Sequence, residues 1–463
     1  MKITLVGAAG GEVTGSAYYV QIRQSGILVD CGLFQGGRRS EALNRPPTGP
    51  RQKLDAVLLT HGHLDHAGRL PLLAKRGHTM PVFATPATIE MSTLILRDSA
   101  RLQRADNERQ NRIRARAGEP PVEPLYSPED AESVIRQFRP VPYRQTVPVA
   151  PGIQAMWAES GHMLGSASIQ LIVEEDGITK RVVFSGDIGP RGVPILKDFE
   201  PFQNADVVFL ESTYGNRDHR PFDETVEELT AIVRDAVRRG GRLLVPTFAV
   251  GRAQLLVGLL GWMFRTRKVE PFPIFLDSPM AIEATRIYAQ HRELFDDAMT
   301  RYVKESPLRE DLRTLKACVT SQDSMKINNQ TSPFLVMAGA GMCNAGRILH
   351  HLKANLWKPD THLLIVGYQG HGSLGRRLVD GADHVTIHGA KIAVRATVHT
   401  LGGFSAHAGR TDLVTWIGAM AQGKPRVFLT HGEEEPRREL AMEIRQRFAL
   451  DSTLPKMKDV IEV

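Results

Sequence analysis

From the first residue to about residue 85, short apolar runs alternate with Gly and Pro: ITLVGA, AYYVQI, GILVDCG, AVLLTH and PVFATP. Runs of this length, closed by turn formers, predict strand after strand, with a helical pattern at AGRLPLLAKRG. A polar helical segment from Ser92 to Arg116 carries Arg97, Arg101, Arg104, Arg109, Arg112, Arg114 and Arg116, which reads either as a solvated face or as a contact for nucleic acid. The Pro-rich GEPPVEPLYSPED predicts a loop that opens a helix at an N-cap, Ser127. Strands resume at IQAMWAES, ASIQLIVEE, KRVVFSGDIG and DVVFLEST. From about Thr213 the pattern changes. RLLVPTFAVGRAQLL, FPIFLDSPMA, PFLVMAGAGM and HLLIVGYQGHG are apolar strands that each lead into a helix, the layout of a parallel α/β unit with ligands at its strand ends. After about Lys391 short strands return, KIAVRATVHTL and PRVFLTHGEEE, before a final amphipathic helix from Pro436.

At 463 residues the chain exceeds one ordinary core, so two domains are the expectation. With 42% apolar and 24% charged residues the composition is that of a globular protein in water. The longest apolar helix-like run, AQLLVGLLGWMF, is too short and Gly-interrupted to span a bilayer, which predicts no membrane association. Cys31, Cys318 and Cys343 show no paired spacing, which argues against a disulfide framework and for a reducing cytoplasm. The start, MKITLVGAAGGEVTGS, goes directly into a strand and a Gly turn and lacks a signal-peptide pattern. A net charge of +7 tilts the partner towards a polyanion.

The candidate chemistry begins at LLTHGHLDHAGRLP, where His61, His63, Asp65 and His66 crowd the end of an apolar strand. Clustered imidazoles and carboxylates beside a core strand carry desolvation costs unless something partners them. Such a set without thiolate suits zinc and leaves coordination positions open for chemistry. Three further apolar strands end in metal-capable residues: His162 in WAESGHMLGSAS, Asp187 in VVFSGDIGP and His431 in RVFLTHGEEE. Together these make a set large enough for two metals that share a bridging carboxylate. GHGSLG, Gly370 to Gly375, fits a dinucleotide fingerprint literally but lacks the longer βαβ unit and the acid at the next strand end, so it reads as a phosphate-cradling loop with Arg376 and Arg377. PTFAVGRAQ, with Thr247 and Arg252, and GMCNAGRIL, with Arg347, have the same strand–turn–helix form.

On these motifs the chain resembles a metallo-β-lactamase-fold hydrolase: HGHLDH matches the HxHxDH signature, and His162, Asp187 and His431 stand at the later ligand motifs. Asp30 in VDCG matches the first motif, a strand-end aspartate that supports the metal shell. Within the superfamily the chain is similar to the β-CASP nucleases, through Glu211 in FLEST, His407 in GFSAHAG and His431 in LTHGE. The resemblance implies an α/β fold, a metallo-β-lactamase αββα sandwich with an inserted parallel-sheet β-CASP domain. Its expected segments are 1–212, 213–390 for the insertion, and 391–463.

The same resemblance implies two zinc ions. One would take His61, His63 and His162, the other Asp65, His66 and His431, with Asp187 bridging. His407 would be the general acid oriented by Glu211, Asp65 would belong to the catalytic set, and Ser405, Thr247, Arg252, Arg347 and Arg376 would contact substrate. The implied activity is zinc-dependent cleavage of single-stranded RNA, and a homodimer is compatible with it. RNA is favoured because DNA-directed relatives of the Artemis type lack a histidine where His431 stands. The chain looks like the compact bacterial form related to the nuclease subunit of the cleavage and polyadenylation specificity factor, without the KH domains of archaeal relatives or the C-terminal domain of ribonuclease J. Two other readings compete: a flavodiiron-like oxidoreductase, which would replace a signature histidine with a carboxylate, and a non-catalytic RNA-binding paralogue, which would have lost ligands.

Overall fold

Strand patterns that are apolar on both faces need cover on both sides, and that requirement shapes the first of two units. The computed structural model describes residues 1–36, 40, 42–49, 52–370 and 372–463; position 371 of the expected phosphate loop, His371, lies outside the described residues. The chain packs as two units, one comprising Met1–Arg191, Asp198–Asp218 and His407–Val463, the other Gly192–Lys197 and His219–Ala406.

The first unit holds two seven-stranded sheets. One contains β1 (Lys2–Leu5), β2 (Tyr18–Gln21), β3 (Gly26–Val29), β4 (Ala56–Leu58), β5 (Val82–Ala84) and β6 (Phe138–Pro140), with β22 (Val460–Glu462) on the edge beside β1. The other contains β7 (Val147–Ala150), β8 (Ile153–Glu159), β9 (Ala167–Glu175), β10 (Ile178–Phe184), β11 (Val207–Glu211), β20 (Arg426–Thr430) and β21 (Ser452–Thr453). Each sheet is antiparallel in one half and parallel in the other: β3, β4, β5 and β6 run parallel, as do β10, β11, β20 and β21.

The inner faces share one core, in which Ile3, Val20, Ile27 and Val29 join Trp157, Ile169, Phe184 and Phe209. Alternation explains why the strands read as continuous apolar runs. Along β11, Val207 and Phe209 enter that core, while Val208 and Leu210 face outward onto Trp416, Ile417, Leu440 and Ile444 of the covering helices. Leu28, Val57 and Leu59 likewise face Leu70, Leu73, Leu96 and Val134 on the other outer side. The result is the expected αββα sandwich.

The Arg-rich helix runs over Pro86–Arg116, six residues longer at its start than the polar pattern suggested, because Thr85 caps it and Pro86 takes the first turn. Arg97 pairs with Glu132, Arg101 with Asp98, Arg104 with Glu108 and Arg109 with Asp106 on its exposed side, which is how a solvated helix face is built. Ser127 caps the next helix, Pro128–Ile135, through a capping box with Asp130.

The second unit carries a six-stranded parallel sheet in the order β14 (Leu315–Ala317), β13 (Ile274–Leu276), β15 (Phe334–Ala338), β12 (Arg242–Pro246), β16 (Thr361–Ile365), β19 (Thr397–Thr400). A small hairpin of β17 (His384–Ile387) and β18 (Ala390–Ala393) completes its strands. Among the described residues no helix is long and apolar enough to cross a membrane, and all three cysteines are free and buried.

Candidate metal centre

The parallel halves of both sheets of the first unit deliver their strand ends to one place, and the HxHxDH segment and its partners are what stands there. Asp30 follows β3, Thr60 and His61 come shortly after β4, and the short helix Leu64–Ala67 turns Asp65 and His66 inward. Asp187 follows β10, Glu211 ends β11, and His431 follows β20. His162 lies in the turn between β8 and β9, where the Ser166 hydroxyl accepts from the His162 N–H at 3.1 Å. The approach of these turns leaves no room for side chains: a Cβ on Gly32 would sit 1.6 Å from the Asp65 carbonyl oxygen, and one on Gly189 would sit 1.9 Å from that of Gly161.

The two oxygens of Asp187 face different neighbours. Oδ2 lies 3.5 Å from Nε2 of His61 and 3.5 Å from Nε2 of His162, whereas Oδ1 lies 3.2 Å from Nε2 of His66 and 3.6 Å from Nε2 of His431. His63 Nδ1 is 3.1 Å from His162 Nε2, and Asp65 Oδ2 is 3.6 Å from His431 Nε2. Three metal-capable groups result among the described residues: His61, His63, His162 and Asp187 in one, Asp65, His66 and His431 in another, and Asp187, Glu211 and His407 in the third, each with its donor atoms within 4.8 Å of one another.

The fit to cations rests on satisfaction as well as distance. Nε2 of His61 and Oδ1 of Asp187 are buried without a hydrogen-bond partner. Buried polar atoms left in that state cost about 1–3 kcal/mol each unless a ligand takes them. A donor set of imidazoles and carboxylates matches zinc in chemistry.

Hydrogen bonds behind the donors hold them in register. Nδ1 of His66 is 2.7 Å from Asp30 Oδ2, so its Nε2 points towards Asp187. The Thr60 hydroxyl donates to Asp30 and lies 3.1 Å from His61 Nδ1. Thr213 Oγ1 lies 3.2 Å from His431 Nδ1. Asp30 and His431 both adopt left-handed backbone, φ 58° and φ 50°, a conformation that costs a non-Gly residue energy and clusters at functional sites.

Electrostatics follow from the crowding. Burial opposes charge on His66, but Asp187 and Asp30 outweigh it and hold its pKa well above the ordinary histidine value. Burial and the neighbouring His66 push His61 well below that value. Burial alone would raise Asp187, yet His431, His66 and His407 hold it well below the usual carboxylate range. His407 sits beside this group: its Nδ1 is 3.3 Å from Glu211 Oε1 and 3.9 Å from Asp187 Oδ2. Burial again opposes the charge, and Glu211 and Asp187 raise the imidazole to about 9. Glu211 is in turn anchored, its Oε1 accepting from the Ile188 N–H at 2.9 Å.

The expected substrate contacts all belong to the second unit, where they are already engaged. Arg347 Nη1 is 2.7 Å from the buried Asp277 Oδ1, and its guanidinium also donates to the carbonyls of Cys318 and Val319. Arg376 pairs with Asp380 one helical turn on, and Arg377 donates to the His384 carbonyl at 3.5 Å. Arg252 Nε donates to the Phe404 carbonyl at 3.0 Å and its guanidinium lies 5.5 Å from the Phe248 ring. Thr247 is buried and donates to the Phe248 carbonyl at 3.2 Å. Ser405 falls in the second unit, two residues before His407.

Sequence reasoning passed over Thr60 and Thr213. A signal for Thr60 stood in plain view: Leu59-Thr60-His61-Gly62 and Leu429-Thr430-His431-Gly432 are the same tetrapeptide at two ligand-bearing strand ends. In both, the threonine is buried, and Thr430 Oγ1 meets the Tyr18 hydroxyl at 2.8 Å.

Two donor groups that share one carboxylate, at the strand ends of an αββα sandwich, define a metal-dependent hydrolase scaffold. Residues 10–247 match the Metallo-beta-lactamase superfamily, residues 253–378 the Beta-Casp domain, and residues 391–455 the Zn-dependent metallo-hydrolase RNA specificity domain. The chain belongs to the metallo-beta-lactamase superfamily, in the branch that carries a Beta-Casp domain. It is 38% identical to Ribonuclease TTHA0252 of Thermus thermophilus over 94% of each chain. It is 30% identical to Transcription termination factor FttA of Methanosarcina mazei, over 98% of this chain and 70% of the relative. A solved structure of a protein of unknown function from Enterococcus faecalis V583 covers 100% of this chain and 99% of its own, with a TM-score of 0.54 at 13% identity, a likeness of fold.

Proposed function

We propose that the chain is a metal-dependent ribonuclease that hydrolyses phosphodiester bonds of single-stranded RNA with two zinc ions held per chain. The observation that carries this reading is the division of Asp187, one oxygen facing His61 and His162 and the other facing His66 and His431. His61, His63 and His162 would hold one ion, Asp65, His66 and His431 the other, with Asp187 between them. When bound, such a pair supplies Lewis acidity, which acidifies water and offsets charge on the phosphate.

The protein's own groups do the rest. Asp30, Thr60 and Thr213 engage the outer ring nitrogens and orient the inner ones, a role whose loss commonly costs about 10–100-fold in metal affinity or activity. Hydrolysis adds the oxygen of water to phosphorus and breaks the P–O bond to the departing oxygen, which then needs a proton. His407 suits that task. Its Nδ1 is engaged with Glu211, whose carboxylate favours the protonated imidazole, so Nε2 is the atom that delivers the proton. RNA as substrate is supported by the match to the RNA specificity domain and by the ribonuclease named above.

End-labelled single-stranded RNA tests the proposal. Wild type should cleave it, a chelator should abolish cleavage, added zinc should restore it, and His407→Ala should be slow with or without zinc. Cleavage that survives removal of the metal would overturn the reading.

A further inference from the structure

We propose that the strand-end loops of the second unit form a base-stacking platform, in which Phe248 and Tyr368 take successive nucleobases of a single-stranded polynucleotide. Both rings are exposed: Phe248 is 45% and Tyr368 57% accessible. They follow β12 and β16, which are hydrogen-bonded neighbours in the parallel sheet, so both emerge at its C-terminal edge.

The loops that carry them are tied together. The Phe248 ring packs on Gly341, where an added Cβ would lie 3.0 Å from Cδ2 and from Cε2. Gln369, next to Tyr368, donates to the Gly341 carbonyl at 2.9 Å and to that of Gly367 at 3.1 Å. On the other side of Tyr368, the Arg252 guanidinium lies against Gly367, where a Cβ would be 1.9 Å from Nη1. Arg252 also lies 5.5 Å from the Phe248 ring. Two exposed rings are thus held on braced backbone with a cation beside one of them.

The chemistry selects the occupant. Two exposed aromatic faces stand on neighbouring strand-end loops, with a guanidinium beside one of them. That is the composition that stacks bases while tolerating any sequence, with cation–π help from arginine. The net charge of +7 suits a polyanion. The inference rests on the RNA reading above and adds a subsite for bases, separate from any contact to phosphate.

The test uses the full chain with His407→Ala to prevent cleavage, and compares a single-stranded oligoadenylate with an abasic ribose-phosphate chain of the same length across a salt series. The parent should prefer the oligoadenylate. Tyr368→Ala and Phe248→Leu, the latter keeping bulk against Gly341, should each weaken oligoadenylate binding about 5- to 150-fold. Neither should change abasic binding or the slope of affinity against salt, because stacking neutralises no phosphate. Tyr368→Trp should retain the preference. Equal binding of the two probes by the parent, or a preference that survives both variants, overturns the platform, as does a flattened salt slope. Tyr368 is on an exposed loop, so its variant answers even if Phe248→Leu misfolds. Failure of the parent to bind either probe overturns the RNA reading itself, and the platform with it.

Discussion

Two buried clusters of charge, one in each unit, contain the same kinds of residue and differ in how completely they satisfy one another. In the second unit, Asp277 is fully buried, with Oδ1 2.7 Å from Arg347 and Oδ2 2.6 Å from the Ser324 hydroxyl and 2.7 Å from His351 Nε2. Burial opposes its charge, yet these three bonds hold its pKa below the ordinary carboxylate range. Both carboxylate oxygens of Asp277 are occupied, and the unpartnered buried atom of this cluster is an imidazole nitrogen, Nδ1 of His351. In the first unit, Asp187 is as deeply buried, but its Oδ1 and the nearby His61 Nε2 have no hydrogen-bond partner, and the imidazoles around it face inward. A buried carboxylate is thus a poor guide to function by itself; an incompletely satisfied one, ringed by aligned donors, marks a place for cations.

The largest effect is expected at Asp187. Asp187→Ala should release most of the bound metal and reduce RNA cleavage below detection, measured by elemental analysis and by gel. Retained metal with cleavage near wild type would place the cations elsewhere.

Next comes the proton donor. His407→Ala should keep the metal and lose about 10²–10⁴ in rate. The protonated form is present below the pKa of His407, so activity should fall as pH rises through it. That limb lies at or below about 9, since burial opposes and Glu211 and Asp187 favour the cation, and bound cations would pull it lower. Glu211→Gln should move the limb to lower pH. A pH–rate profile whose alkaline limb is unmoved in Glu211→Gln would separate His407 from the proton transfer.

The contrasting cluster predicts a change of stability without a change of metal. Arg347→Ala leaves Oδ1 of the buried Asp277 without its partner and should cost about 1–3 kcal/mol in denaturant unfolding. The depressed pKa of Asp277 stabilises the fold at neutral pH, and that contribution should fade as pH falls through the depressed value. Arg347→Ala that unfolds like wild type but binds RNA with a flatter salt dependence would restore it as a phosphate contact.

Last comes Thr60→Val, which removes the hydroxyl behind His61 and Asp30 and should weaken metal binding about 10–100-fold, read from competition with a chelator. Unchanged affinity would make Thr60 a packing residue only.

Much of the fold was legible because alternation and length reveal strands, and strand–helix alternation reveals a parallel sheet. β12, β13, β15 and β16 read directly from their apolar runs. The order in which they pair, with β19 joining beside β16, depends on long-range contacts that no local pattern records. The metal-capable residues were legible because each follows an apolar strand and their types repeat. The partner of Arg347 was hidden for the opposite reason. A sequence displays a charge but conceals its partner, and Asp277 lies 70 positions away. Thr60 and Thr213 escaped notice because a threonine beside a histidine is common, and only the geometry singles it out.

In the proposed reading Asp187 divides two cations between two donor groups. Zinc equivalents per chain, titrated into metal-free wild type and metal-free Asp187→Ala while single-stranded RNA cleavage is followed in the same samples, test it most directly. Activity in wild type should rise with occupancy and complete near two equivalents, with loss of both the second equivalent and the activity in the variant. Full activity at one equivalent, or two equivalents held undiminished by Asp187→Ala, would contradict it.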